Sequence, residues 1–455
     1  MSTSRASQCV VIEIFIGLVL ASNKTDYARS VVMCKLAQDV ITRALHAKFE
    51  SPQSLNDWQF ALRYAAQDRD PRRCSFIPQE LDSIEFDPNQ SSTSLIKKLS
   101  FIEAYLIGTS WRSYPKALAL LKSVSDANIL GHDYKRVRQQ IASIISKVFE
   151  LGRSYQQQGK WKLTIDSTLQ SYVQQFKQIL QNYIVLKVAD NDTIAHACET
   201  ILEWMVLSIS ISSPMVHYLP QLLPIILKLH VALHEDVRNL ARAVLALASQ
   251  ILYTKKDIHD IIYSQIQVVA DHPAWRVRVA LLPFLQILTF NHACVMSKQD
   301  VEHILVFVSQ SLVDVQVEVR NVAKTCLSSI IKSTAWTVDK LVDGFKLQAL
   351  PLSKKQMKLL NAKDAKLAIA KRHGAVLGLI AIAESCPYSL PKWLPSIMEE
   401  IASHRNAPNP INEAVAEALR SFNRTHQDQW VEVKQLFSYE QVQAIKQSNS
   451  ASYLA

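Results

Sequence analysis

Three stretches of this chain place apolar residues on one lattice. The first runs Val237, Leu240, Ala241, Val244, Leu245, Ala248. The second runs Val277, Ala280, Leu281, Phe284, Leu285, Leu288, and the third Val319, Val322, Ala323, Cys326, Leu327, Ile330. All three follow offsets 0, 3, 4, 7, 8 and 11, which is one stripe of an α-helix. Each opens with a Val-Arg pair, at 237, 277 and 319, spacings of 40 and 42 residues. A helical unit recurring at that period marks HEAT-type repeats. A single unit cannot bury its stripe, so stacked neighbours must supply the core. The expected fold is all-α, a HEAT/armadillo-like α-solenoid of stacked antiparallel helix pairs.

The same periodicity predicts helices over 10–20, 28–49, 56–66, 95–107, 114–124 and 132–151, with Asn56 as the cap before Trp58. Residues 78–93 lack periodicity and read as a loop. Residues 152–164, polar and Gln-rich, read as an exposed connection. Further helices are expected over 169–188 and 195–212, from about Pro220 onward, and over 258–269 and 301–312. Pro283 falls on the polar side of the second lattice helix and predicts a kink. Residues 337–366 carry seven lysines (Lys340, Lys346, Lys354, Lys355, Lys358, Lys363, Lys366) and read as a solvated insertion or binding face. Gly374 and Gly378 are one turn apart and predict a close helix approach. The lattice returns at Ile411, Ala414, Val415, Ala418, Leu419 and Phe422, and 438–447 is the last expected helix. This gives a helical segment over 1–165, repeats over 166–447 and a mobile tail over 448–455.

Composition narrows the function. The 455 residues hold only 8 glycines, which disfavours hairpin-rich β folds and Gly-rich phosphate loops. Net charge is +10, suited to acidic partners. Seven scattered cysteines include no C-x-x-C pair, so a reducing compartment is expected and neither a zinc knuckle nor a redox motif is. The apolar run 9–21 contains Glu13, falls short of a membrane span and reads as a buried first helix rather than a signal peptide.

No catalytic motif emerges. His230 and His234 are four apart, but Glu235 lies outside them, so the H-E-x-x-H order is missing and the pair reads as helix surface. Adjacent Glu399 and Glu400 diverge on a helix and cannot share acid/base work. There is no nucleophile elbow, Walker loop or dinucleotide fingerprint. The chain is expected to be no enzyme and to use no cofactor, no metal and no small-molecule substrate.

Several blocks carry a family resemblance. Lys371-Arg372-His373-Gly374-Ala375-Val376-Leu377-Gly378 is similar to a K-R-H-x-x-V-L-G segment. Ser385-Cys386-Pro387-Tyr388 with Pro391-Lys392-Trp393-Leu394-Pro395 is similar to S-P-Y…P-x-W-x-P. Phe422-Asn423-Arg424-Thr425-His426 with Trp430 matches F-x-R-T-H…W. Upstream, Glu13-Ile14-Phe15, Asn56-Asp57-Trp58, Arg69-Asp70-Pro71-Arg72 and Val317-Glu318-Val319-Arg320 match in order. Together they resemble the C-terminal part of the proteasome activator complex subunit 4 family, whose members are several times longer. A truncated form or fragmentary gene product is therefore expected.

The resemblance implies a non-enzymatic activator seated on the α-ring of the proteasome core particle, in nucleus and cytoplasm. Ubiquitin-independent degradation and DNA repair are the implied processes, and no membrane is. The family tail ends hydrophobic-Tyr-X. Its carboxylate meets a pocket lysine, and the penultimate tyrosine hydrogen-bonds to help open the gate. The tail here is Tyr453, Leu454, Ala455, so Leu454 replaces that tyrosine. The resemblance also implies a bromodomain-like region over about 263–350 that binds acetylated histones. Its Asn-Phe pair aligns with Thr334-Ala335, with Trp336 alongside as a substitute wall. The alternative from the residues alone is a HEAT scaffold or transport adaptor whose basic face holds acidic protein or nucleic acid.

Overall fold

A computed structural model describes residues 4–67, 69, 74–81, 91–157, 167–186, 192–209, 214–270, 272–351, 361–428 and 430–446. Regular structure among them is helical throughout. The chain divides into two compact units, Met1–Ile251 and Leu252–Ala455.

The first unit holds α1 (Arg5–Ser22), α2 (Tyr27–His46), α3 (Pro52–Ala66), α4 (Ser92–Thr109), α5 (Tyr114–Val124) and α6 (Ala127–Leu130). It continues with α7 (Lys135–Gln157), α8 (Ser167–Leu186), α9 (Asp192–Ser208), α10 (Leu219–Lys228) and α11 (Glu235–Ala248). Helix α1 packs on α2 and α3, α3 on α4, α4 on α7, α7 on α9 and α9 on α11. Phe15, Trp58, Phe76 and Phe101 form one aromatic core, in which the Trp58 indole donates to Gln8 Oε1 at 2.9 Å. Arg69 lies 5.8 Å from the centre of the Phe76 ring and donates to the Val19 carbonyl. The upstream motif residues Phe15, Trp58 and Arg69 are thus packing joints. Lys97 is buried, donates to the Ala44 and Ala47 carbonyls at 3.2 and 2.5 Å, and closes the end of α2. Burial pushes its ammonium down to about 8.

The second unit holds α12 (Lys255–Val269), α13 (Trp275–His292), α14 (Lys298–Ser311), α15 (Val317–Thr334) and α16 (Asp339–Ala349). It ends with α17 (Ala362–Glu384), α18 (Leu394–Ser403), α19 (Ile411–Thr425), α20 (Trp430–Val433) and α21 (Tyr439–Lys446). Helix α13 packs on α15, α15 on α17, and α17 on α16, α18 and α19.

The lattice explains the packing. Offsets 0, 4, 7 and 8 are buried in α11, α13, α15 and α19 alike, whereas offset 3 (Leu240, Ala280, Val322, Ala414) is only half-buried. That finding exposes a fifth copy on α7, with Val137, Ile141, Ile144, Ile145 and Val148 buried. Gln140 occupies its half-buried offset, which hid it from a purely apolar count.

The arginine of each Val-Arg pair has one task. Arg138, Arg238, Arg278 and Arg320 each donate from Nη1 to the carbonyls six and five residues earlier, at 2.6–3.1 Å. Those carbonyls belong to the turn entering the helix and need a donor. The other end of three of these guanidiniums reaches onward. Arg138 meets buried Glu199 at 2.6 Å, Arg278 grips Asp314 with two bonds of 2.6 and 3.0 Å, and Arg320 meets His373.

Several expectations are corrected. Ser51, not Asn56, caps α3, with Pro52 in the first turn, because the hydroxyl accepts from the Gln53 amide. Helix α7 runs through Gly152 to Gln157, so the exposed connection cannot start at 152; Gly152 abuts Tyr114 and Leu169. Most of the described part of 337–366 is helix: α16 buries Val342, Phe345 and Ala349 against the second unit's core. Lys354, Lys355 and Lys358 lie outside the described residues. His230 is buried in a short 3-10 turn and His234 is the residue before α11, so they are not a surface pair. Helix α1 is longer than expected and buries one face only, leaving Val10 and Ile14 exposed. By length and composition alone, α1 would also cross a membrane.

Candidate functional site

The expected site residues divide between described and undescribed chain. Tyr453, Leu454 and Ala455 lie outside the described residues. Thr334, Ala335 and Trp336 form the end of α15. The Thr334 hydroxyl donates to the Ile330 carbonyl at 2.7 Å, so an acetyl oxygen would have to compete for that proton. Ala335 is exposed and left-handed, with φ 48° and ψ 41°. Its amide and that of Trp336 both donate to Ile331, a Schellman-type stop. Trp336 is half-buried.

An alanine in that conformation carries steric strain between Cβ and carbonyl oxygen. Ala335→Gly should therefore raise stability by about 0.5–1 kcal/mol, after allowing for glycine's freer unfolded chain. Urea unfolding measures this, and an unchanged or lowered midpoint would remove the strain argument.

The K-R-H-G block on α17 is a joint between helices. Arg372 donates from Nε to the Ala349 carbonyl at 3.2 Å, and its Nη2 lies 3.2 Å from His404 Nδ1. Burial, with Arg372 beside it, lowers the His404 imidazole. His373, 1% exposed, accepts at Nδ1 from Arg320 Nε at 2.9 Å. Burial and the Arg320 charge push His373 down to about 4. Gly374 faces the Leu312 backbone at the end of α14, and Gly378 faces the Phe345 ring of α16. The close approach expected from the two glycines is present.

Five further motif residues, Cys386, Pro387, Phe422, Thr425 and His426, converge on a half-open cleft of about 80 Å³ between α17, α18 and α19. Ile380, Met398, Ile401, Ala418 and Phe422 form its apolar walls. Cys386 and Pro387, just past α17, close one side. Ser421, Thr425, His426 and Glu384 supply polar atoms. Phe422 is 4.5 Å from the His426 ring and 6.0 Å from Phe437, centre to centre. Burial lowers the His426 imidazole, so it is neutral near pH 7. Glu384 pairs with Lys324 at 3.1 Å. This lining suits an apolar or aromatic side chain with one polar end. The cleft was not foreseen from the sequence. Its signal was the motif set Cys386, Pro387, Phe422, Thr425 and His426, whose meeting point depends on how three helices cross. Among the described residues, no group of three His, Cys, Asp or Glu side chains could hold a metal.

Residues 369–455, which include the joint and the cleft, match the family model described as "Proteasome activator complex subunit 4-like, C-terminal". The chain is 26% identical over 467 residues to proteasome activator complex subunit 4B of Danio rerio, covering 96% of this chain and 25% of that protein. It is 27% identical over 501 residues to proteasome activator subunit 4 of Arabidopsis thaliana, covering 99% and 27%. The chain thus spans about a quarter of the length of the curated relatives it matches. The resemblance found in the motifs holds: this chain is related to the C-terminal region of that family. Among solved structures, Kap121p bound to Nup53p is similar with a TM-score of 0.35 at 13% identity, over 96% of this chain and 53% of that one.

Proposed function

We propose that this chain, as a relative of the C-terminal quarter of proteasome activator subunit 4, docks on the α-ring of the proteasome core particle and promotes gate opening without catalysis of its own. The observation that carries this is the match of 369–455 to the family's C-terminal model. Physical support comes from how the chain leaves the described fold. Helix α21 packs on α18, where Gln441 donates to Glu399 at 2.8 Å and Ile445 is buried. Nine residues follow Lys446 in the sequence, a length of chain that could span at most about 30 Å, enough to reach into a neighbouring pocket.

The test is peptide hydrolysis by the purified core particle with the intact chain and with residues 453–455 deleted. Deletion should abolish stimulation. Leu454→Tyr should strengthen it about tenfold at limiting protein, because one buried hydrogen bond and its otherwise unsatisfied partner are worth about 1–3 kcal/mol. Equal stimulation by intact and deleted chains would sink the tail's role, and failure to co-purify with α subunits would sink docking. Acetylated-histone binding at residues 334–336 is a separate proposal. Equal recovery of acetylated and unacetylated tails in a pull-down removes it.

A further inference from the structure

The cleft between α17, α18 and α19 has a buried floor of Ile380, Met398, Ile401 and Ala418, with half-exposed Phe422 and Cys386 at its rim, and Phe422, Met398 and Cys386 suit an aromatic guest. Thioether and thiol sulfurs pack favourably against aromatic rings, and the Phe422 ring offers an edge or offset partner. Ser421, Thr425 and Glu384 provide hydroxyls and a carboxylate for a phenolic group. A phenol satisfies both features at once.

We propose that the cleft takes the side chain of Tyr453 from the chain's own C-terminal stretch. Three observations select this occupant. First, the chain after Lys446 reads Gln447-Ser448-Asn449-Ser450-Ala451-Ser452-Tyr453-Leu454-Ala455, a polar spacer followed by a single aromatic. Second, the route is short. Phe437 lies 6.0 Å from Phe422 in the cleft wall, and α21 follows two residues later. Its eight residues and the short link put Lys446 at most about 20 Å from Phe437. Seven more residues reach about 25 Å, which with the tyrosine's own length returns to the cleft. Third, a linker this short gives an effective concentration in the mM range, so a single aromatic anchor suffices where a separate peptide would bind weakly.

The binding stands on this geometry, and its regulatory consequence rests on the function proposed above. Tyr453 held in its own cleft is withheld from any other pocket, so the tail exchanges between a parked and a docked position.

Leu454→Cys tests the binding in the isolated chain, with no core particle present. Cys386 is a half-exposed free thiol on the cleft side, while Cys9 and Cys294 are exposed elsewhere. Under mild diamide oxidation of dilute protein, mass mapping should find residue 454 joined chiefly to Cys386. Adding Tyr453→Ala should lower that yield about tenfold, the loss of one buried aromatic anchor at about 1.4 kcal/mol. A synthetic peptide of residues 451–455 at mM concentration should lower it too. Bonding to Cys9, Cys294 or other molecules as readily as to Cys386, no bond at all, or indifference to Tyr453→Ala would each overturn the proposal. Hydrolysis assays play no part in this measurement, so it stands or falls separately from docking on the core particle.

Discussion

Gly374→Ala is expected to remove about 3 kcal/mol or more of stability, the upper end of what overpacking costs. A Cβ at this position would lie 1.9 Å from the Leu312 carbonyl oxygen and 2.6 Å from its carbonyl carbon. Leu312 is fully buried, and its amide is tied to Val308, so no flexible side chain can yield. Helix α17 would have to move off the end of α14, which would also strain the Arg320–His373 bond one residue away. Gly378→Ala is the internal comparison. Its Cβ would meet the buried Phe345 ring at 2.7 Å, and a side-chain ring can turn about its own bonds where a backbone carbonyl cannot. The second substitution should cost about half as much. Against a typical total of about 5–15 kcal/mol, Gly374→Ala should be visible directly in urea unfolding. A midpoint within error of the parent would mean that α17 does not approach α14 this closely.

Acid should destabilise the second unit through His373. Its Nδ1 lone pair accepts from Arg320, whose guanidinium stays charged throughout the accessible pH range. Protonation would replace that acceptor with a donor facing a cation inside the core. The imidazole is therefore pushed down to about 4 in the folded chain, against an ordinary value near 6.5 when unfolded. Between these values the unfolded chain binds the proton and the folded chain does not. Stability from this group is complete above pH 6.5 and is lost as pH falls through 4, by about 3 kcal/mol in all. His404, also held low beside Arg372, adds a loss of the same sign. His373→Gln keeps a neutral acceptor for Arg320 and removes the titration. Urea unfolding from pH 7 to pH 4 should show a shallower fall for the variant than for the parent. Parallel curves would place the acid sensitivity elsewhere.

Both effects originate in the K-R-H-G block, which the sequence marks as a family motif without saying what it does. Spacing alone indicated that Gly374 and Gly378 share a helix face and admit a close neighbour. Which backbone comes close, Leu312 rather than any other, depends on residues sixty positions upstream. The Val-Arg pairs behaved likewise. Their period was legible, but the bonds from each guanidinium to the carbonyls six and five residues earlier appear only once the turn folds back on the helix. The α7 copy was missed because Gln140 broke an apolar count, and only burial shows that its offset lies at the rim.

The sequence by itself determined that this protein is built of helices, where most of them lie, which stripe each buries and which family's C-terminal part it resembles. Those properties follow from local periodicity and capping chemistry, which act within a turn or two of helix. Tertiary structure alone decided that Cys386, Pro387, Phe422, Thr425 and His426 share one cleft, that His373 faces a buried cation, and that Thr334 spends its proton on Ile330. The physical reason is that crossing angles and contacts between helices are set by side chains far apart in the chain. A stripe announces that it must be covered, but not by what.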